Sequence, residues 1–365
     1  MSEGIFDAGT NYAIRPAWRR KATPTYSGVR IAAPGRLHMN VFDFSRMGIV
    51  YPGGGGIGFS TATGRNEVHL SVDHSGSAAP PSTPTARHLL KLFKELVGYK
   101  PNDIEVGIEK RITEAHVGYG SNVTHNTAVL WGLNVLFGTP FSVSELFEIL
   151  TLNYVEIAKD GEHIYWGMDT GVGEAALLHG GVVWVDPDVK YVGRCDAGNM
   201  HVITAHGDPK RLRIDSAAIE DGSSDDTQMS GRKEEQLVAQ KCLKYQQKYG
   251  ATLLSFLERS LKPAFLSNDL SRFWDLGWKL NEFGTFKMLQ VVYDPDILLC
   301  MEKEAREMGL SYFGLSSAGP SVFGVATDLQ TCERALPVLE ARFPEVFHGF
   351  RIARAGESIT TRIDP

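Results

Sequence analysis

The sequence predicts an α+β protein of two closely packed domains, and three observations carry that prediction. The chain has 365 residues, more than a single domain usually holds. Segments with the two-residue alternation of strands are interleaved with segments of helical spacing. Glycine-rich turns separate these elements at residues 53–58, 118–121 and 314–320. The boundary is expected near residue 190, giving an N-terminal domain, 1–190, with the first two turns, and a C-terminal domain, 191–365, with the third.

In chain order, residues 29–43 alternate on both sides of Pro34-Gly35 and predict strand, turn, strand, and Val68-His-Leu-Ser-Val72 predicts a further strand. Leu89, Leu90, Phe93 and Leu96 form a helical stripe over residues 86–97, and residues 104–108 alternate again. After Gly118-Tyr-Gly-Ser-Asn-Val-Thr-His125, an apolar run predicts a helix over 127–137, ended by Gly138. A helix is expected over 144–158 and a strand over 181–185. Residues 219–233 are charged and rich in Ser and Asp, which predicts a mobile loop placed to cover a site. A helix over 235–260 and a strand over 321–325 complete the pattern.

Composition narrows the function. Hydrophobic residues make up 43% and charged residues 22%, the balance of an ordinary globular protein. A formal net charge of -6 argues against nucleic acid as a partner, which rewards a broad basic surface. A small anionic substrate needs only a local cluster of cations and backbone amides. Cys195, Cys242, Cys300 and Cys332 show no zinc or redox spacing and read as reduced thiols. Residues 1–10 lack a basic stretch followed by an apolar one, and no segment is long enough to span a bilayer, so a cytoplasmic location without a membrane partner is expected.

The loop before residue 127 carries the strongest chemical signal, because unpaired amides and the helix dipole favour an anion at a helix N-terminus. Gly118 and Gly120 let backbone approach a ligand, and Ser121, Asn122 and Thr124 add hydrogen-bonding groups. A tight turn with a polar cap is the other reading. It is not a Walker loop, since the closing lysine with Ser or Thr is missing. The run Gly53-Gly-Gly-Gly-Ile-Gly58 is either a hairpin tip or, given the apolar Ile57 and Phe59, bare backbone lining a pocket through Gly54 and Gly55. On an extended segment Arg36, His38 and Asn40 share one face, suited to an anion or to a solvated edge. Glu114 and His116 alternate likewise, to hold magnesium or a hydroxyl, or to pair with each other. Asp169, beside Thr170-Gly-Val-Gly173, reads as a ligand, an electrostatic stabiliser or a turn cap.

Taken in order, Pro34-Gly-Arg36, Gly118-Tyr-Gly-Ser121 and Gly314-Leu-Ser-Ser-Ala-Gly-Pro320 resemble the three signatures of the GHMP kinase superfamily, over most of the chain. Within it the chain is similar to the beta-ribofuranosylaminobenzene 5′-phosphate synthases at Arg36-Leu-His38, Gly55-Gly-Ile-Gly58, His179-Gly-Gly181 and Ser316-Ser-Ala-Gly-Pro-Ser321. It also resembles the C-nucleotide synthases of formycin- and pyrazofurin-type antibiotic pathways. The resemblance implies a two-domain GHMP-kinase-like fold, with a ribosomal-protein-S5-like α/β N-terminal domain and a ferredoxin-like α+β C-terminal domain.

The implied activity is transfer of ribose 5-phosphate from phosphoribosyl pyrophosphate to a ring carbon that loses carbon dioxide, with Mg2+ as cofactor. The chain departs from the synthases at Asn122-Val-Thr124, where they carry Gly-Thr-Gln, and at Ala318, where they carry tryptophan. These changes favour a carboxylated nitrogen heterocycle such as a pyrazole as acceptor. The methanopterin-pathway synthase and an ATP-dependent small-molecule kinase are the alternatives.

On this reading Arg36, His38 and Asp169 are catalytic, and Gly54, Gly55, Gly118, Gly120, Ser121, Asn122 and Thr124 hold the donor. Asn40, His116, Thr170, Glu174, Ser316 and Ser317 contact the acceptor or the ribose, and Glu114 ligates the metal. A homodimer is expected.

Overall fold

The computed structural model describes residues 4–46, 52–110, 118, 120–212, 230–317 and 319–364. Glu114, His116, Ala318 and, within the charged segment 219–233, all but the backbone of its last four residues lie outside them.

Two long strands organise the molecule. β1 (Gly28–Val41) pairs antiparallel along its whole length with β2 (Gly56–Val72). The far edge of β2 is shared: β3 (Ile104–Lys110) takes residues 67–72, and β6 (Val182–Val185) takes residues 56–59. β7 (Tyr191–Cys195) extends the sheet beyond β6, and β12 (Thr360–Asp364), from the end of the chain, pairs with β1. Residue 190 therefore falls inside the first sheet, between two of its strands. β4 (Val155–Ile157) and β5 (Ile164–Trp166) form a separate hairpin. The second sheet, in the order β11 (Phe347–Arg354), β8 (His201–Gly207), β10 (Ser321–Ala326), β9 (Tyr312–Leu315), is antiparallel throughout.

Two helices, α2 (Ser121–Leu136) and α4 (Val172–His179), lie on one face of the first sheet, with α1 (Pro84–Val97) packed against α2 and α3 (Val143–Leu152) against both. α1 begins where the Thr83 hydroxyl accepts from the Ala86 amide and ends at Gly98, whose φ of 64° is left-handed. α3 opens with a capping box between Ser142 and Glu145. α2 is buried on nearly all sides, as a helix sandwiched between a sheet and three other helices must be. Ile31, Val68, Leu70, Leu89, Phe93, Leu130 and Leu133 meet in that core. The other halves of β1 and β2 face a second core, where Leu37, Met39 and Phe59 meet residues of the second sheet. There the Phe59 ring meets Phe323 and Trp274 edge to face, at 5.6 and 6.4 Å between centroids.

Several sequence expectations change. Pro34-Gly35 does not end a strand, because a register shift between the two absorbs the missing donor and leaves β1 continuous. α2 starts at Ser121 rather than 127, so the polar residues taken as loop form its first turn. The helix expected to reach residue 158 stops at Leu152, and residues 155–157 turn into β4. α4 was not foreseen; its eight residues are too short to display a period. The alternation around residues 104–108, the stripe over 86–97 and the strand over 321–325 stand as expected. None of the four cysteines is paired. Among the described residues no helix is long and apolar enough to cross a membrane.

Gly132 fixes how closely α2 approaches the sheet. A Cβ there would lie 2.3 Å from Leu70 Cδ1 and 3.0 Å from Ile31 Cγ1. Gly132→Val should therefore destabilise the fold by about 1–3 kcal/mol through overpacking, read as a lower urea midpoint. An unchanged midpoint would contradict the close contact.

Candidate functional site

β1 supplies the first functional side chains. Arg36 and His38 lie two residues apart on it, but a second register shift between His38 and Asn40 breaks the alternation. Asn40 consequently leaves their face. Its Oδ1 accepts from the Thr285 amide at 2.8 Å and its Nδ2 donates to the Val41 carbonyl, so it anchors the helix Thr285–Leu289 to β1. His38 is 2% exposed; its Nε2 lies 3.2 Å from Thr170 Oγ1, and its Nδ1 has no protein partner.

The N-terminus of α2 lies against Arg36. Gly120, the residue before the helix, has a left-handed φ of 63°, and no side chain caps the helix. A Cβ on Gly120 would stand 3.1 Å from both Nε and Nη2 of Arg36, so a guanidinium and an uncapped helix start meet where only glycine fits. Ser121 and Asn122 form the first turn beside them. The Thr124 hydroxyl is committed to the Gly120 carbonyl at 2.8 Å, within the helix.

The turn between β9 and β10 reaches across to this corner. The Ser316 hydroxyl donates to the Gly118 carbonyl at 2.7 Å and accepts from the His38 amide at 3.1 Å. Ser317, at a φ of 59°, presents its amide 3.4 Å from the His38 carbonyl.

A cleft of about 980 Å³, open mouth included, runs between these elements. It gathers Arg36, His38, Gly118, Gly120, Ser121, Asn122, Asp169, Thr170 and Ser317 among the residues the sequence singles out. Gly54 and Gly55 do not border it. The Gly54 amide donates to the Pro187 carbonyl, and a Cβ on Gly55 would lie 2.1 Å from the Asp186 carbonyl oxygen, so these glycines serve a close backbone crossing. Thr124, Asn40, Ser316 and Glu174 stand behind the wall, and Glu114 and His116 lie outside the described residues.

Two acids sit where α4 begins. Asp169 Oδ1 accepts from the Gly171 amide at 3.0 Å, and the Asp169 carboxyl also meets that of Glu174. Burial raises the Asp169 carboxyl to about 6, although the Gly171 amide and the Arg36 charge pull the other way. Glu174, in the first turn of α4, is fully buried; burial first, then the Asp169 charge, holds it well above the ordinary carboxylate range. The two carboxyls therefore titrate as a pair, and burial and their mutual repulsion both favour retention of a proton. Burial first and Arg36 second push the His38 imidazole well below its ordinary value, so it is neutral and can donate or accept.

Sequence reasoning missed Glu156, which borders the cleft with Tyr154 and Met168. Its carboxylate, 6% exposed, accepts from Tyr154 Oη at 2.9 Å and Tyr165 Oη at 2.8 Å. Once residues 155–157 are read as helix, the cross-strand pairing of Glu156 with Tyr165 is invisible. Val238 and Ala239, Phe44, Thr285 and Leu289 complete the apolar and far walls.

No protein-family model matches the chain, and no curated protein matches its sequence. Among solved structures, homoserine kinase from Cytophaga hutchinsonii ATCC 33406 aligns with a TM-score of 0.61 at 14% identity, over 93% of this chain and 99% of that one. Mevalonate diphosphate decarboxylase from Enterococcus faecalis aligns at 0.58 and 12%, over 93% and 100%. L. major mevalonate kinase, solved with R-mevalonate, aligns at 0.58 and 13%, over 91% and 98%. At such identities the likeness is one of fold: the chain has the two-domain fold of the GHMP kinases.

The acid pair makes stability depend on pH in a defined sense. Carboxyls whose folded pKa lies above the unfolded value favour folding below about pH 4, and that contribution is lost as pH rises through 6 and beyond. His38, shifted downward, acts oppositely below its ordinary value of 6.5. Glu174→Gln should therefore gain melting temperature relative to the parent as pH rises from 5 to 8, measured by calorimetry. A difference independent of pH would refute the buried pair.

Proposed function

We propose that the chain is a transferase that joins ribose 5-phosphate to a carboxylated heteroaromatic ring, using phosphoribosyl pyrophosphate and releasing pyrophosphate and carbon dioxide. The observation that supports this reading most is the meeting of the Arg36 guanidinium with the uncapped start of α2 at Gly120. Amides, a helix dipole and a cation converge on one point, which is the environment a departing diphosphate requires.

Each residue then has a definable task. Arg36, Ser121 and Asn122 bind the diphosphate and stabilise the charge it gains as the ribose C1–O bond breaks. The electron pair of that bond leaves with the diphosphate, and C1 becomes electron-poor. The ring carbon bearing the carboxylate attacks C1 from the opposite face, forming the C–C bond and turning an α donor into a β product. The bond to the carboxylate then breaks, its electrons return to the ring, and carbon dioxide departs. No proton has to be removed, so the reaction needs no strong base. Neutral His38, with Nδ1 unpartnered, can donate to a ligand oxygen. Most of the rate enhancement comes from holding two reactants in register, which is worth roughly 7–11 kcal/mol.

Magnesium fits this site through its oxygen chemistry. The ion takes one or two protein carboxylates and completes its shell with phosphate oxygens and water, and Asp169 presents a carboxyl to the same cleft as Arg36, Ser121 and Asn122. When bound, it would neutralise diphosphate charge; Asp169 would hold it. A dedicated cage is not required.

The second reading is an ATP-dependent kinase, favoured by Asp169, whose carboxyl raised to about 6 could take the proton of an alcohol. Two of the similar folds above are kinases. Against it, the described cleft lining contains no lysine beside Asp169.

Mass spectrometry of the protein with phosphoribosyl pyrophosphate, magnesium and a panel of aromatic acids should show a ring gaining ribosyl phosphate and losing carbon dioxide. Phosphorylation of an alcohol by ATP, without that product, would replace the reading with the kinase. Arg36→Ala should slow single-turnover donor consumption at least about tenfold, the worth of one charged hydrogen bond, and an unchanged rate would remove Arg36 from the site. Magnesium affinity should fall as pH drops through about 6 and Asp169 takes up a proton; an affinity independent of pH there would exclude that role.

A further inference from the structure

Glu156 has no task in the reaction above, yet it is a buried carboxylate at the wall of the same cleft. The β4–β5 hairpin builds its surroundings. Glu156 lies directly opposite Tyr165, and Tyr154 lies two residues before it, so strand alternation brings both phenols to its side of the hairpin. One phenol donates to each carboxylate oxygen, Tyr154 to Oε1 at 2.9 Å and Tyr165 to Oε2 at 2.8 Å. Gly167 makes room for the arrangement, since a Cβ there would lie 2.5 Å from the Tyr154 ring and 2.6 Å from Glu156 Cγ.

A carboxylate has about four acceptor sites, two on each oxygen. The phenols occupy one on each, fix the plane of the group and leave at least one acceptor per oxygen. Two parallel acceptors on one rigid group match two adjacent neutral donors on a ligand. They do not match a phosphate or a carboxylate, which the negative charge would repel. The cleft is therefore polarised: a cationic, amide-lined end at Arg36 and Gly120 receives the anion, and a carboxylate borders the part of the ligand that carries no charge.

We infer that Glu156, clamped by Tyr154 and Tyr165, is a specificity-determining residue that binds the vicinal hydroxyl pair of a sugar whose phosphates lie at the start of α2. The inference rests on the proposed function only in placing a phosphorylated sugar in the cleft. A sugar diol adjoining a diphosphate supplies both the charge for one end and the paired O–H donors for the other. Removal of one hydroxyl leaves the second acceptor site of one Glu156 oxygen desolvated and unfilled, so the clamp discriminates ribose from deoxyribose.

Calorimetric titration of the full chain and of Glu156→Gln tests this, with magnesium diphosphate, phosphoribosyl pyrophosphate, ribose 5-phosphate and 2-deoxyribose 5-phosphate as probes. The parent should prefer ribose 5-phosphate over the deoxy sugar by about tenfold, as loss of one hydrogen bond to a charged group implies. In Glu156→Gln the preference should fall to within about twofold and phosphoribosyl pyrophosphate should weaken by about tenfold, with diphosphate unchanged. Tyr165→Phe, which keeps the carboxylate but frees one oxygen, should show the same pattern more weakly. A hydroxyl preference absent from the parent or retained in Glu156→Gln overturns the clamp. So does a loss of magnesium diphosphate binding in that variant, which would assign Glu156 to the metal and phosphate end. If diphosphate fails to bind the parent while the hydroxyl preference is present and lost in the variant, the phosphate reading falls and the clamp stands.

Discussion

The Ser316 hydroxyl is the contact on which the site depends. It is fully buried, donates to the Gly118 carbonyl and accepts from the His38 amide, so one side chain joins three segments far apart in sequence. A hydroxyl can serve as donor and acceptor at once, which an alanine or a valine at this position cannot. It ties the backbone of β1 to the residues before α2, beside the direct packing of α2 on β1 that brings Arg36 against Gly120. The cleft therefore belongs to neither sheet alone. Strand β1 brings the cation and the imidazole, α2 brings its uncapped end, and the β9–β10 turn locks them together.

Electrostatics follow from that enclosure. Arg36 is close enough to influence His38, Asp169 and Glu174, and burial favours the neutral form of all three, pushing the imidazole down and both carboxyls up. A phosphate arriving at α2 would bring negative charge to a helix start that no side chain caps, beside a guanidinium. The arrangement suits a reaction governed by charge placement more than by proton abstraction.

The sequence was legible where chemistry and local backbone coincide. Arg36, Gly118, Gly120, Ser121 and Asp169 were named from turns and helix starts, and the structure brings them to one cleft. The row Arg36, His38, Asn40 read correctly for two members and not for the third, because a bulge at residue 39 leaves no mark in the residue pattern. Gly54 and Gly55 resembled pocket backbone, yet their φ angles of 99° and 55° serve a crossing against Asp186 and Pro187. Glu156 was lost for a longer-range reason. Its meaning depends on pairing with a residue nine positions later in a hairpin only three residues wide on each side, and such short strands carry too little alternation to be seen. The return of residues 360–364 to the edge of β1 is likewise a contact across nearly the whole chain, which local pattern cannot disclose.

The central claim is that a diphosphate binds at the meeting of Arg36 and the start of α2. A crystal structure of the protein with magnesium and phosphoribosyl pyrophosphate measures this most directly. The account predicts diphosphate oxygens within hydrogen-bonding distance of the Ser121 and Asn122 amides and of the Arg36 guanidinium. Diphosphate density elsewhere in the molecule, with the Gly120 corner filled by solvent, would contradict it.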